Sequence, residues 1–331
     1  MKKYLYIALA AAALTSCSQD ETLDIQKEAI AFGDAFVDNS TRAATDPSYG
    51  THKAIGQFSV WGTVNNTSGN PVSLYKGATV TNPNKDDNGN YLNTSYGSAW
   101  DCSTVQYWIY DVEYNFAAVV NGTVTDADLT SGLPTSISYT ADGTSDLLYA
   151  EQLDYTRTAN DNKGLVKFNF THLLSKVKIT AQNTTSYNEN YAFTITDLSV
   201  NTPASGKVTI GHETDGKITS TWSNVTSGTR TFTFTTADKI PSVAEECDSE
   251  MLFIPYAYTG DDKLTITFKA NWYYGNDLIK TEDMTASTNV TLLAGNSYSF
   301  NIKFGLNNPI QFTVETDPNW TENSSQDITA Q

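Results

Sequence analysis

The sequence predicts an all-β protein, with two tandem β-sandwich domains behind a secretory leader. Three observations carry that prediction. Thr is frequent along the chain and Val, Ile, Tyr and Phe recur at alternate positions, the pattern of strands with branched and aromatic side chains on one face and hydroxyls on the other. Turn signals rich in Asn, Asp, Gly and Pro separate these runs at short, regular spacing, as in sandwiches. The 331 residues, less a leader of residues 1–16, leave 315, more than one hydrophobic core usually serves. A hydrophobic content of 39% with 12% aromatic residues is ample for packed cores and unlike a disordered chain.

The leader has a charged start, Lys2-Lys3, and an apolar stretch from Leu5 to Leu14. That stretch is about half the ~20 residues a membrane-spanning helix needs, so it is read as a removable secretory signal. Leu14-Thr15-Ser16-Cys17 resembles the lipobox of bacterial lipoproteins, in which the signal is cut before the Cys and that residue is acylated. Cys17 is then the lipidation site, and the membrane is reached through a lipid anchor only, at ~0.8 kcal/mol per buried methylene. Ser18-Gln19-Asp20-Glu21 follows directly, similar to the acidic export signal of surface lipoproteins in some Gram-negative anaerobes.

Residues 17–42 form a lipidated pro-segment. It contains a short alternating stretch around Ile30-Ala31-Phe32, ending near Phe36, and closes on a lone basic residue in a small polar setting, Ser40-Thr41-Arg42-Ala43-Ala44. The bond between Arg42 and Ala43 is a candidate cleavage site.

The first sandwich is placed at residues 43–174. Phe58, Val60, Gly62 and Val64 alternate, and a long polar region from Asn65 to Asn93 is broken only by Val72-Ser73-Leu74-Tyr75. Tyr114, Phe116, Ala118 and Val120 alternate next, Asp126 to Leu129 could form a short helix, and Asp146 to Ala150 is a short apolar strand. Val166, Phe168 and Phe170 lead into Val177, Ile179 and Ala181 with the phase shifted. A phase break in mid-run marks a change of sheet, so the second sandwich is placed at 175–331. Its cleanest strands are Phe193–Ile195, Phe232–Phe234, Leu264 to Trp272 and Tyr298 to Phe304, with Pro255 at a bend and a last strand at Ile310, Phe312 and Val314.

The formal charge is −17, and loss of Lys2 and Lys3 makes it −19, which excludes a nucleic-acid partner or direct adsorption to an anionic membrane. No nucleophile or metal motif accompanies His52, His172 and His212, so neither an enzyme nor a cofactor is expected. His172, between apolar strands, reads as a structural residue. Cys102 and Cys247 fall in different domains and read as buried free thiols. Asp86-Asp87-Asn88-Gly89-Asn90 lacks the alternate ligand spacing of a calcium loop and reads as a solvated turn. Trp272-Tyr273-Tyr274, with Trp100, Trp108 and Trp222, could form a stacking platform for sugars, although aromatics in strands usually belong to cores.

Two readings of the N-terminal segment stand side by side. Ile30 and Phe32 could fill a slot in the first sandwich, so that cleavage after Arg42 opens a groove for a strand from another chain; Ile310, Phe312 and Val314 are then the natural donor. Alternatively, residues 28–37 are a plain edge strand and Arg42 a loop residue.

The order of these motifs resembles the fimbrillin (Mfa-like) family of type V pili. The motifs are the lipobox, Ile30-x-Phe32, Thr41-Arg42-Ala43, Phe58 to Gly62, Tyr114 to Ala118, Asp146 to Ala150, Phe168 to Val177, Leu293 to Tyr298, and Ile310-x-Phe312 with Trp320. The resemblance implies two transthyretin-like β-sandwiches and export to the outer membrane surface as a lipoprotein. It further implies an Arg-directed maturation protease, other fimbrillin subunits as partners in a strand-exchange polymer, and a role in adhesion. The rival expectation is a monomeric surface lipoprotein that binds glycans.

Overall fold

The computed structural model describes residues 28–37, 55–65, 69–85, 99–158, 165–184, 190–233, 240, 245–246, 251–304, 311–317 and 325–328. Among these residues the regular structure is β throughout, except for one 3-10 turn at Asp126–Asp128, where the sequence placed a short helix. The strands of the first half are β1 (Phe32–Val37), β2 (Gln57–Asn65), β3 (Pro71–Thr81), β4 (Asp101–Cys102), β5 (Glu113–Val120), β6 (Leu129–Thr130), β7 (Leu133–Pro134), β8 (Ser136–Thr140), β9 (Leu148–Thr156) and β10 (Val166–His172). One seven-stranded sheet runs in the order β1-β10-β9-β5-β2-β3-β4.

Successive side chains of a strand point to opposite faces, and the middle of this sheet is buried on both. Val60, Phe116 and Ala118 join one core with Tyr75, Phe168 and Phe170. Trp61, Ala117 and Val119 join another with Tyr149 and Ile137. A Cβ on Gly62 would lie 2.8 Å from the Phe116 ring and 2.9 Å from that of Tyr75, so glycine is what lets the two rings close over β2. β3 corrects the expectation of a mostly polar region. Its outer side chains face solvent while Tyr75, Ala78 and Val80 point inward, and the polar outer face hid the strand.

Between His172 and Ser175 the chain leaves this sheet through Leu173 and Leu174, both buried. The strands that follow are β11 (Ser175–Asn183), β12 (Tyr191–His212), β13 (Ile218–Phe232), β14 (Glu245–Glu246), β15 (Met251–Phe253), β16 (Ala257–Tyr258), β17 (Leu264–Tyr274), β18 (Asp277–Thr288), β19 (Val290–Thr291), β20 (Ser297–Phe304), β21 (Gln311–Asp317) and β22 (Ser325–Ile328). A six-stranded sheet orders β14-β11-β20-β21-β22 with β15 also on β11; a five-stranded sheet orders β13-β12-β17-β18 with β8 on β12. Val177, Ile179, Phe300, Ile302 and Val314 from the first of these share a core with Phe193, Val200, Ile266 and Phe268 from the second. Two sheets meeting face to face in this way bury the alternate residues of each. Pro255 falls between β15 and β16, where its missing N–H breaks no ladder.

The halves are tied together. β8 precedes the boundary placed by sequence, yet it pairs antiparallel with β12, from Ser136↔Thr209 to Thr140↔Ser205. Ile137 and Tyr139 thereby enter one core with Trp61 and Tyr149 on one side and Val208 and Ile254 on the other. Trp222 Nε1 donates to the Leu173 carbonyl at 3.2 Å, and His212 pairs with Glu151.

Asp128 anchors the same seam. Its carboxylate pairs with the Lys207 ammonium of β12 and accepts bonds from the Thr125 amide at 2.8 Å and the Ser136 hydroxyl at 3.0 Å. Burial opposes its ionisation, but the Lys207 ammonium and these donors together hold its carboxyl below the usual range. A carboxyl depressed on folding contributes stability above its unfolded value of about 3.9 and loses it as pH falls. Asp128→Asn is therefore expected to cost about 2 kcal/mol at pH 7, with the gap from wild type narrowing below about pH 4. Thermal melts of both proteins at pH 7 and pH 3 check this; an equal gap at both would remove Asp128 from the acid response.

Candidate functional site

Residues 28–37 occupy a built slot. On one side β1 runs parallel to β10, with Phe32↔Val166, Gly33↔Lys167, Phe36↔Asn169 and Val37↔Phe170 in register, and the Val166 amide donates to the Ala31 carbonyl at 2.9 Å. On the other side lies the segment from Trp100 to Trp108. The Ile30 amide donates to the Gln106 carbonyl at 2.8 Å, the Trp100 amide to the Phe32 carbonyl at 2.8 Å, and the Trp108 amide to the Glu28 carbonyl at 3.0 Å. That segment is itself bonded to β3, through Val80↔Cys102 and the Ser103 amide on the Thr79 carbonyl. Residues 28–32 thus join the two ends of the sheet's strand order, and the sheet closes on itself through them. An edge strand has one free ladder; here residues 28–32 bond the segment from Trp100 to Trp108 while residues 31–37 bond β10, and the two sides overlap at Ala31 and Phe32.

The side chains follow the ladder. Ile30 and Phe32 point inward while Ala29 and Ala31 point out, and Ala35 returns to the core after an irregularity between Gly33 and Phe36, which re-aims a strand as a bulge does. Phe32 is 0% exposed. Its ring centroid lies 5.2 Å from Tyr75, 5.8 Å from Phe116 and 6.1 Å from Phe168. At the head of the segment Glu28 pairs with Arg157 and accepts a hydrogen bond from the Tyr110 hydroxyl at 3.2 Å. The Arg157 guanidinium sits 5.3 Å from the Trp108 ring centroid, within the range of a cation–π contact. Neither Glu28 nor Arg157 was singled out from sequence. The readable signal was an acidic residue ahead of an apolar pair, but nothing local pointed to its partner 129 residues away.

Cys17, Arg42, Ala43 and Ile310 lie outside the described residues, as do His52, Cys247, residues 86–90 and Trp320. Phe312 and Val314 lie on β21, between β20 and β22, with Ile302↔Phe312 and Phe300↔Val314 in register. Val314 is 3% exposed in its own chain's core. The tryptophans are dispersed. Trp100 and Trp108 belong to the core around Phe32, Trp222 packs on the seam, and Trp272 packs 4.3 Å from Phe193 in the second half. Tyr274 alone of the expected platform is well exposed. His172 is held by Asp146. Cys102 is a half-buried free thiol whose pKa is raised by burial. Among the described residues no group of three or more His, Cys, Asp or Glu could hold a metal ion.

Residues 1–18 match the prokaryotic membrane lipoprotein lipid attachment site. The fimbrillin-like family profile matches residues 41–320. The chain belongs to the fimbrillin-like family. Like other fimbrillin-like proteins it is a fimbrial component and not an enzyme, and the attachment site makes it a membrane-anchored lipoprotein of the cell surface. The fimbrillin-like fold is shared with a fimbrial protein from Bacteroides vulgatus, which is 14% identical and superposes with a TM-score of 0.54 over 88% of this chain and 99% of its own. A proposed cell adhesion protein from Bacteroides uniformis is 16% identical with a TM-score of 0.49, over 88% of this chain and 98% of its own. No curated protein sequence matches. The family match begins at residue 41, downstream of the segment that closes the sheet.

Proposed function

We propose that this chain is a pilus subunit kept monomeric by its own N-terminal segment, and that an Arg-directed protease cuts after Arg42 to make it polymerise by strand exchange. The observation that carries this reading is the seat of residues 28–37, which bond the segment from Trp100 to Trp108 through residues 28–32 and β10 through residues 31–37. Taking that segment away exposes the edge of β10, the edge of the Trp100–Trp108 segment and an apolar slot the size of Ile30 and Phe32. Unpaired edges beside an apolar groove are a template for strand addition.

The proposal includes the division into transthyretin-like sandwiches at 43–174 and 175–331, with lipid on Cys17. The donor is a C-terminal strand such as Ile310, Phe312 and Val314. Since β21 lies within its own six-stranded sheet, donation requires β21 and β22 to leave β20. Adhesion is the purpose of the resulting polymer.

Limited digestion with an Arg-specific protease tests the proposal. Of the chain's three arginines, Arg157 is buried and Arg230 lies within β13, so Arg42 is the expected site. The expected result is a body beginning at Ala43, loss of residues 17–42 and a ladder of oligomers on gels, all abolished by Arg42→Ala. A cleaved protein that keeps residues 28–37 and stays monomeric would favour the single-subunit glycan binder instead.

A further inference from the structure

We infer that Arg157 selects the strand that replaces residues 28–37. The incoming segment carries a carboxylate four residues ahead of the aromatic that fills the Phe32 site, with an apolar side chain between them at the Ile30 position. The inference rests on the strand-exchange reading above.

Arg157 is 4% exposed, so its charge is largely withdrawn from water. A buried cation is tolerated when it is paired, and removing the partner is costly. Glu28, whose side chain is 44% exposed, supplies a counter-charge, Tyr110 donates to the same carboxylate, and the guanidinium lies over the Trp108 ring. The Trp108 amide also binds the Glu28 carbonyl, which fixes the backbone position of the acid relative to Ile30 and Phe32. Register in a strand is set by such points, because a one-residue slip turns every side chain to the other face. Arg157, Trp108 and Tyr110 all remain with the body when residues 17–42 depart, so the vacated slot keeps its reader.

The pattern also identifies the kind of occupant. Laying Ile310 on Ile30 and Phe312 on Phe32 puts Asn308 where Glu28 stands. A neutral amide offers Arg157 an acceptor without charge, and charge-assisted bonds are roughly twice as strong as neutral ones. The slot therefore prefers a strand from a different subunit, one with Asp or Glu at this position, over a second copy of this chain.

The test uses the protein digested at Arg42 and four fluorescent peptides: Lys27–Asp38, its Glu28→Gln form, residues 307–318, and the Asn308→Asp form of these. Fluorescence anisotropy reads the affinities. Glu28→Gln is expected to weaken binding about ten- to hundredfold, and Asn308→Asp to strengthen the second peptide. With an Arg157→Met body the members of each pair are expected to bind alike. Equal binding of each pair to the wild-type body would overturn the inference and leave strand exchange standing. Failure of every peptide to bind would overturn strand exchange, and the inference with it.

Discussion

Phe32→Ala is expected to lower the stability of the uncut protein by about 3–5 kcal/mol, the usual cost of emptying a fully buried aromatic site. Phe32 has no exposed surface, and its ring touches rings from three different strands, Tyr75 of β3, Phe116 of β5 and Phe168 of β10. The truncated side chain leaves a hole that these three cannot all close, since Tyr75 and Phe116 are both fixed opposite Gly62 in their ladders. Calorimetry measures the global effect. Hydrogen exchange locates it, because the Ile30, Trp100, Trp108 and Val166 amides donate into the seat and should lose protection ahead of those in β17. Val37→Ala, at a half-buried position on the same strand, is the control and should cost much less. A Phe32→Ala protein that melts with wild type and keeps those amides protected would mean the sheet does not depend on this segment for closure.

The fold was legible where burial is one-sided. Leu264, Ile266, Phe268 and Ala270 alternate with exposed or half-buried residues, so β17 could be read directly from its period. The same rule failed where burial was absent. β18 is exposed or half-buried from Asp277 to Thr285, and much of the β12–β13 hairpin carries Ser and Thr on both faces. Those strands exist because their backbones pair over long registers, which a periodicity of side chains does not record. β5 fails in the opposite way. Ala117 and Val119 are as buried as Phe116 and Ala118, so the alternation seen in the sequence was half of the truth.

The candidate site was legible in its isolated apolar pair and in little else. Ile30 and Phe32 stand out because they alternate with alanines in a stretch bounded by the polar Gln26-Lys27-Glu28 and Asp38-Asn39-Ser40. Their partners could not be found locally. Val105, Tyr107 and Ile109 are exposed while Trp108 enters the core around Phe32 and Gln106 turns to the Leu74 carbonyl of β3, so an unbroken run of large side chains hides the alternation of that segment. The Glu28–Arg157 pair is set by topology alone.

Ile137→Ala is expected to cost about 3 kcal/mol and to weaken the coupling between the two halves. Ile137 is fully buried on β8, and its core is completed by Trp61, Ala117 and Tyr149 from the seven-stranded sheet and by Val208 and Ile254 from the second half. Buried Ile→Ala changes cost roughly 2–5 kcal/mol through lost transfer energy and residual cavity. The position matters beyond that sum. Because β8 comes from the first half and pairs with β12 of the second, its side chains are shared by units whose other cores are separate. Cooperativity between such units depends on the interface they share. The wild-type protein is expected to melt in one transition, with intrinsic fluorescence and circular dichroism coincident. Ile137→Ala should separate the two probes or broaden the transition. Ile266→Ala, in the core of the second half alone, should lower stability by a similar amount without affecting the Phe32 seat. If Ile137→Ala only shifts a single sharp transition, the seam is a passive contact. Strand exchange at the Phe32 seat could then proceed without any consequence for β21.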